Sequence, residues 1–313
     1  MKILLPDSLP LNPTLPDGVD AVTYDASRPV PTEHRDAEAL VVWGVSGDHL
    51  AEVAGDMPNL RWVQSLAAGP DSVVAAGFPE DVVITSGAGL HSPTVTEHAL
   101  ALVLALLRRL PEAAEAQAER RWDDGIGGLQ PLHPDGRVTT LIGARVLVWG
   151  FGNIGQTLAP VLRSLGATVR GVARSAGERA GFEVVAESDV EGELARTDVL
   201  VMILPSTPAT EKALNAERLA ALPEHAYVVN VGRGSTVDED ALRAALTDGT
   251  IAGAALDVTA VEPLPEDSPL WDAPNVVITP HAAGGRPVGA DELVAHNLRA
   301  LVEGRELRNV VER

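Results

Sequence analysis

The sequence has no cysteine, few lysines and few long apolar runs, and each shortage excludes a class of protein. Without cysteine, the chain of 313 residues can form no disulfide, thiolate nucleophile or cysteine metal site. The longest apolar run, residues 99–107, is too short to cross a bilayer, and His98 and Arg108 flank it. The first residues also lack the long apolar core of a signal peptide. We therefore expect a cytoplasmic chain with a buried helix in this run, no membrane partner and no bound metal.

Basic residues are scarce relative to acidic ones. Lysine and arginine together number 24 against 44 aspartates and glutamates, which gives a formal net charge of −20. A field of this sign repels phosphate backbones, so we expect no nucleic-acid partner. Any anionic ligand therefore needs a local pocket of cations or N–H groups. Nearly all the available cations are arginines, because Lys2 and Lys212 are the only lysines.

The patterning along the chain is typical of an α/β protein with two domains. Its 45% apolar and 22% charged residues match the composition of a soluble globular protein. Short apolar runs separated by helix-length segments recur in both halves, which predicts parallel sheets with crossover helices. A long helix is predicted over 94–110, and a loop rich in glycine and proline over 120–140. The predicted strands are 2–5, 39–43, 61–65, 82–85, 145–149, 167–172, 199–204, 227–231, 254–256 and 276–279.

A glycine-rich segment directly follows one predicted strand and opens a helix over 153–165. The first of its three glycines permits a tight turn, the second lets the backbone approach a pyrophosphate, and the third lets helix and strand pack closely. A helix N-terminus also offers free N–H groups to phosphates. A glycine-rich turn in any α/β protein is the alternative, but the strand–helix–strand spacing favours a dinucleotide site. The segment consists of Gly150, Phe151, Gly152, Asn153, Ile154 and Gly155.

The next predicted strand ends without the acidic residue that NAD-specific sites use to bind the ribose hydroxyls. Ala173 stands in that place, and Arg174 and Ser175 follow it. A guanidinium and a hydroxyl suit a 2′-phosphate. We therefore expect NADP(H) to be preferred, with NAD(H) use still open. A surface loop with a solvated arginine is the alternative interpretation.

Three chemically active side chains follow apolar strands in the last third of the chain: Arg233, Glu262 and His281. In doubly wound sheets, ligands bind outside the carboxyl ends of the strands. An arginine can hold a carboxylate and polarise a keto oxygen, and a histidine can exchange a proton with that oxygen. A glutamate paired with the histidine would fix its tautomer. Each residue alone could be a surface charge, a loop residue or a capping residue, but together they predict keto-acid reduction.

These motifs, in this order, make the chain similar to the D-isomer-specific 2-hydroxyacid dehydrogenase family over nearly its whole length. The resemblance implies two Rossmann-like domains, with a dinucleotide-binding domain over 94–284 inserted into a discontinuous, flavodoxin-like substrate domain of 1–93 plus 285–313. It also implies hinge closure, and a homodimer whose interface includes 94–110 and 120–140. The matching segments are 97–100, 150–155, 204–210, 230–234, 256–265 and 279–284.

The resemblance assigns a role to each matching residue. Arg233 would bind the substrate carboxylate and keto oxygen, His281 would be the acid/base, and Glu262 would be its partner. Asp257 would orient the nicotinamide carboxamide. The substrate loop 65–71 would contact the substrate through Leu66, Ala68 and Gly69. The N–H groups of Ala68 and Gly69 would hold the carboxylate, since Pro70 has no N–H to donate. Further cofactor contacts are implied for Thr94, Leu204, Pro205, Thr210, Val231, Gly232 and Gly284.

Two features leave the substrate open. The segment 85–92 is not typical of the family, and Glu262 disfavours formate because formate dehydrogenases have glutamine there. We expect NAD(P)H-dependent reduction of a small 2-keto acid of the glyoxylate or hydroxypyruvate type. The alternatives are 3-phosphoglycerate dehydrogenase, which needs extra cations for its phosphate, and a non-catalytic nucleotide-sensing relative. A scaffold role has no support in the sequence.

Overall fold

The computed structural model describes residues 1–127 and 130–313 and divides them into two compact units. One unit comprises Met1–His91 and Gly285–Arg313, and the other comprises Ser92–Gly284. The predicted loop over 120–140 includes residues 128 and 129, which lie outside the described residues. No helix in the described part of the chain is long and apolar enough to cross a membrane.

The strands and helices alternate along most of the chain. The strands are β1 (Lys2–Pro6), β2 (Asp20–Tyr24), β3 (Ala39–Val42), β4 (Trp62–Ser65), β5 (Val83–Thr85), β6 (Arg145–Trp149), β7 (Thr168–Ala173), β8 (Gly177–Arg179), β9 (Phe182–Ala186), β10 (Val199–Met202), β11 (Tyr227–Asn230), β12 (Gly253–Leu256) and β13 (Val276–Ile278). The helices are α1 (Gly47–Asp56), α2 (Asp71–Ala75), α3 (Ser92–Leu107), α4 (Leu110–Ala118), α5 (Asn153–Ser164), α6 (Val190–Leu194), α7 (Ala216–Ala220), α8 (Glu239–Thr247) and α9 (Ala290–Val302).

The first unit is built on a parallel sheet with the order β2-β1-β3-β4-β5. This order is that of flavodoxin-like folds, as the resemblance implied. The sheet is buried on both faces. Leu4 of β1 packs in one cluster with Leu50 of α1, while its neighbour Ile3 packs in another with Leu298 of α9. The C-terminal segment therefore returns to this unit because its last helix covers one face of the sheet.

The second unit is built on a larger sheet with the order β13-β12-β11-β10-β6-β7-β9-β8. All neighbouring strands are parallel except the β8–β9 hairpin. The order runs away from β6 in both directions, as in dinucleotide-binding folds, and the crevice between the ends of β6 and β10 is the switch point at which such folds bind ligands. Helices α3 and α5 cover one face, and α6, α7 and α8 cover the other. The predicted α/β class with two Rossmann-like parts is confirmed.

The long helix predicted over 94–110 is α3, which ends at Leu107, and a separate helix, α4, begins at Leu110. The backbone of Arg109 takes a left-handed conformation with φ 52°, which ends the first helix and precedes α4. Pro111 then lies in the first turn of α4, where its missing N–H has no intrahelical partner to lose. The predicted helix therefore extends three residues beyond the end of α3, and α4 lies almost wholly outside it.

Candidate active site

The glycine-rich segment forms the turn between β6 and α5, and its glycines meet three different requirements. Gly150 has φ 103°, and a Cβ there would lie 2.4 Å from the carbonyl oxygen of Ile203. A Cβ on Gly155 would lie 2.9 Å from the carbonyl oxygen of Gly150. A Cβ on Gly152 would meet nothing within 4 Å, so the space above this residue is open to a ligand.

The N-terminus of α5 fits the phosphates of a dinucleotide. Gly152 is the N-cap, and no side chain caps the helix. Gly152 and Asn153 are exposed, while Ile154 is half-buried and Gly155 is buried. The first N–H groups of a helix have no intrahelical partners, and they carry a partial positive charge. An anion approaching over Gly152 would therefore find N–H donors and no competing side chain.

A second arginine, Arg179, which the sequence reasoning missed, is bonded to Ser175 in the loop after β7. Arg174 and Ser175 are both exposed there. Arg179 ends the short strand β8, and its Nη2 donates to Oγ and to the carbonyl oxygen of Ser175 at 3.0 and 3.1 Å. The hairpin thus brings a second guanidinium to the predicted 2′-phosphate site. Its only signal in the sequence was an arginine four residues beyond Ser175, in a segment with no clear strand pattern.

The three predicted catalytic residues follow neighbouring strands that end level with one another. Asn230, Leu256 and Ile278 are aligned across β11, β12 and β13. Arg233, Glu262 and His281 follow these strand ends in the same order. The structure therefore places all three at the carboxyl edge of one sheet, which is the edge that also carries the glycine-rich turn.

His281 and Glu262 form a direct pair. Nδ1 of His281 lies 2.7 Å from Oε2 of Glu262, and both side chains are partly exposed, at 46% and 38%. The backbone N–H of Thr259 donates to the other carboxylate oxygen of Glu262 at 3.1 Å. Because Nδ1–H donates to the carboxylate, Nε2 is the ring nitrogen left to exchange a proton with a substrate.

The backbone of Arg233 is held by hydrogen bonds from residues before and after it in the chain. The carbonyl oxygen of Arg233 accepts hydrogen bonds from Nδ2 of Asn230 at 3.1 Å and from Oγ1 of Thr236 at 2.6 Å. A Cβ on Gly234 would lie 1.9 Å from the carbonyl carbon of Thr259, so only glycine allows this contact between the two loops. The half-buried Arg233 is thereby held beside the loop that carries Glu262.

The buried carboxylate of Asp257 forms hydrogen bonds with the loop that carries His281. It is 1% exposed. Its Oδ1 accepts hydrogen bonds from Oγ1 of Thr279 at 2.6 Å and from the N–H of Ala282 at 2.8 Å, and its Oδ2 accepts one from the N–H of Ala283 at 3.1 Å. The structure thus gives this carboxylate a role in holding the loop, and the carboxamide contact implied by the resemblance stays a prediction.

The other predicted cofactor residues lie in the loops after β10 and β11 and at the two ends of the second unit. Oγ1 of Thr210 donates to the carbonyl oxygen of Pro205 at 2.6 Å, which closes the loop after β10. A Cβ on Gly232 would lie 2.7 Å from the N atom of Leu204, so these two loops touch. Buried Val231 precedes Gly232, Thr94 lies in the first turn of α3, and Gly284 ends the unit.

The predicted substrate loop belongs to the first unit, where it follows β4. Leu66 is buried, and its carbonyl oxygen accepts a hydrogen bond from Nε2 of His91 at 2.8 Å. A Cβ on Gly87 would lie 2.0 Å from that same oxygen. The atypical segment 85–92 therefore packs directly against the loop and shapes it. Ala68 and Gly69 are half-buried, and their carboxylate contacts stay predictions.

The part of the chain that the structure describes contains no group of side chains suited to bind a metal ion. Within residues 1–127 and 130–313, no three histidine, aspartate or glutamate side chains are grouped so that they could hold an ion.

Comparison with known proteins identifies close relatives. The model of the family described as D-isomer specific 2-hydroxyacid dehydrogenase, NAD binding domain, matches residues 100–283. Glyoxylate/hydroxypyruvate reductase A of Serratia proteamaculans is 32% identical over 291 residues, 90% of this chain and 88% of that protein. D-3-phosphoglycerate dehydrogenase of Mycobacterium bovis is 33% identical over 86% of this chain and 50% of its own length. A D-isomer specific 2-hydroxyacid dehydrogenase of Xanthobacter autotrophicus, solved with NADPH and MES, is 35% identical with a TM-score of 0.78, covering 95% of this chain and 90% of that one.

Proposed function

Because the chain belongs to the D-isomer specific 2-hydroxyacid dehydrogenase family, it is an oxidoreductase acting on 2-hydroxy acids, and we propose that it reduces a small 2-keto acid to the D-2-hydroxy acid. The keto acid is of the glyoxylate or hydroxypyruvate type, and NADPH is the preferred reductant. The relative from Serratia proteamaculans that is named for these two substrates supports the substrate class.

The observation that carries the proposal is the pair of His281 and Glu262. A bound reduced nicotinamide would supply a hydride to the keto carbon. His281, held through Nδ1 at 2.7 Å from Glu262, gives a proton from Nε2 to the keto oxygen as that oxygen gains charge. The hydrogen bond to the carboxylate fixes the tautomer of the ring and prevents the ring from turning away. In the oxidative direction the same nitrogen takes the proton back.

Arg233 polarises the keto oxygen and binds the substrate carboxylate in this scheme. Its guanidinium has five donors in a planar fork, which suits two acceptors at once. Nη1 already donates to the carbonyl oxygen of Gly232 at 2.8 Å, which fixes the direction of the side chain. A fixed donor stabilises developing charge on the oxygen without reorganising during the reaction.

The test of this function is a panel of keto acids assayed with NADPH and with NADH. We expect steady reduction of glyoxylate or hydroxypyruvate, with kcat/KM at least about tenfold higher with NADPH. A preference for 3-phosphohydroxypyruvate would instead support the phosphoglycerate dehydrogenase named in the relative from Mycobacterium bovis. Absence of turnover with every keto acid, despite nucleotide binding, would support a nucleotide-sensing protein.

Cofactor choice rests on the exposed Arg174, which directly follows β7. Arg174→Ala removes one charge that can bind the 2′-phosphate, so kcat/KM with NADPH should fall by about tenfold or more, with NADH use almost unchanged. Steady-state kinetics with NADPH and with NADH measures the two values of kcat/KM. The matched control is Arg196→Ala. Arg196 is also an exposed arginine of this unit, but it pairs with Glu193 just before the start of β10. Equal losses with both cofactors would contradict the assignment of Arg174.

A homodimer and a cytoplasmic location complete the proposal. The part of the second unit implied at the interface carries large apolar side chains that are exposed in the single chain. Trp122 is 90% exposed, and Leu110 and Leu132 are each more than half exposed. In a homodimer, exposed apolar side chains such as these would be covered by the partner.

A further inference from the structure

The backbone of His281 has a conformation that a residue with a Cβ disfavours. Its φ is 50°, in the left-handed region. Such residues persist only where the surrounding structure determines them strongly. The N–H of His281 donates to the carbonyl oxygen of Asp257 at 2.8 Å, which is one constraint on this conformation.

The side chain of Asp257 supplies the remaining constraints. Its carboxylate accepts the N–H groups of Ala282 and Ala283, directly after His281, and the hydroxyl of Thr279, two residues before it. The same aspartate thus holds the loop on both sides of the strained residue. If the carboxylate turned, the loop would lose three hydrogen bonds together.

A histidine from a different element orients this carboxylate. Nε2 of His98, in α3, lies 3.0 Å from Oγ1 of Thr279 and 3.1 Å from Oδ1 of Asp257. Because the Thr279 hydroxyl donates to Asp257, its oxygen is free to accept the N–H of His98. The helix itself is anchored, since Ala99 and Leu102 beside His98 are buried in the core.

We propose that His98 is a positioning residue for His281, acting through Thr279 and Asp257. The part of this proposal that concerns the rate rests on the proposed function of His281 as acid/base. The chain of hydrogen bonds fixes the left-handed backbone of His281 and so fixes where its ring stands. A displacement of the ring by about 1 Å would be enough to slow proton transfer by about 100-fold.

The experiment compares His98→Leu with a control that breaks an equivalent pair elsewhere. His225 donates from Nε2 to Oδ1 of Asp198 at 2.9 Å, just before the amino ends of β10 and β11. His225→Leu therefore removes a partly buried histidine–aspartate contact of the same unit, at the opposite edge of the sheet. Two further variants complete the set: His98→Gln keeps an N–H donor, and Thr279→Val breaks the chain of hydrogen bonds in its middle.

We expect kcat to fall by about 100-fold in His98→Leu and in Thr279→Val, with the Kd for NADPH unchanged. His98→Gln should recover most of kcat, and His225→Leu should keep it. Amide hydrogen exchange supplies a readout that needs no activity. The amides of Ala282 and Ala283 should exchange about tenfold faster in His98→Leu than in the unmodified protein or in His225→Leu.

Several results would overturn the proposal. These are unchanged exchange at residues 282 and 283, equal kcat losses in His98→Leu and His225→Leu, or no recovery in His98→Gln. If the unmodified protein reduces no keto acid, the proposed function fails, and hydrogen exchange still decides whether His98 holds the loop. If His98→Leu does not fold, Thr279→Val gives the same comparison, because threonine and valine have nearly the same shape.

Discussion

Replacing His281 with alanine should lower kcat for keto-acid reduction by about two to four orders of magnitude, the usual contribution of general acid–base catalysis. The reason is that Nε2 is the proton donor and no other titratable side chain pairs with Glu262 in the described structure. The Kd for NADPH should stay nearly the same, because the phosphates bind at the turn after β6. Single-turnover kinetics and a fluorescence titration measure the two quantities separately.

The matched control for this variant is His296→Ala. His296 is partly exposed on α9, which belongs to the first unit and not to the unit that carries the catalytic loops. Its loss should leave kcat unchanged. If His281→Ala retained the turnover of the unmodified protein, His281 would not be the acid/base, and the proton would have to come from another group or from water.

Arg233→Lys should lower kcat/KM for keto acids by about 100-fold or more. Lysine keeps the charge but loses the planar fork that binds a carboxylate and polarises the keto oxygen together. NADPH affinity should change little, since Arg233 follows β11 and not the glycine-rich turn. The reverse pattern, weak NADPH binding with normal catalysis, would place Arg233 at the cofactor instead.

A second arginine shows whether the loss is specific to Arg233. Arg218, on α7 in the same unit, pairs with Glu191 and stacks over the ring of Trp149. Arg218→Lys also exchanges a hydrogen-bonded guanidinium for an ammonium, but Arg218 is not among the residues assigned to the substrate or the cofactor. We expect stability to fall slightly while kcat/KM is kept.

Most strands of both sheets could be predicted because they are buried parallel strands, which are apolar on both faces and therefore form continuous runs. β2 was not predicted, because it is an edge strand whose side chains are mostly exposed or partly exposed. The hairpin of β8 and β9 was not predicted for the same reason, because β8 is three residues long and largely exposed. Arg179 was missed together with that hairpin.

The sequence by itself was enough to predict the chemistry that we propose for this protein. The features that carry this prediction each lie within a short segment, and turn geometry and strand order depend on such segments. These features are the glycines at 150, 152 and 155, the missing acid at Ala173, and the polar residues after three strands. The pairing of Glu262 with His281 could be proposed from these segments because parallel strands end at one edge.

Only the tertiary structure decided which distant groups support that chemistry. His98 and Thr279 are 181 residues apart, and nothing in the periodicity of α3 indicates that one of its side chains reaches the loop after β13. The left-handed backbone of His281 is equally invisible in the sequence, since only a small share of histidines adopt this conformation. Such contacts depend on how helices lie across the sheet, which is set by packing of the whole core rather than by any local pattern.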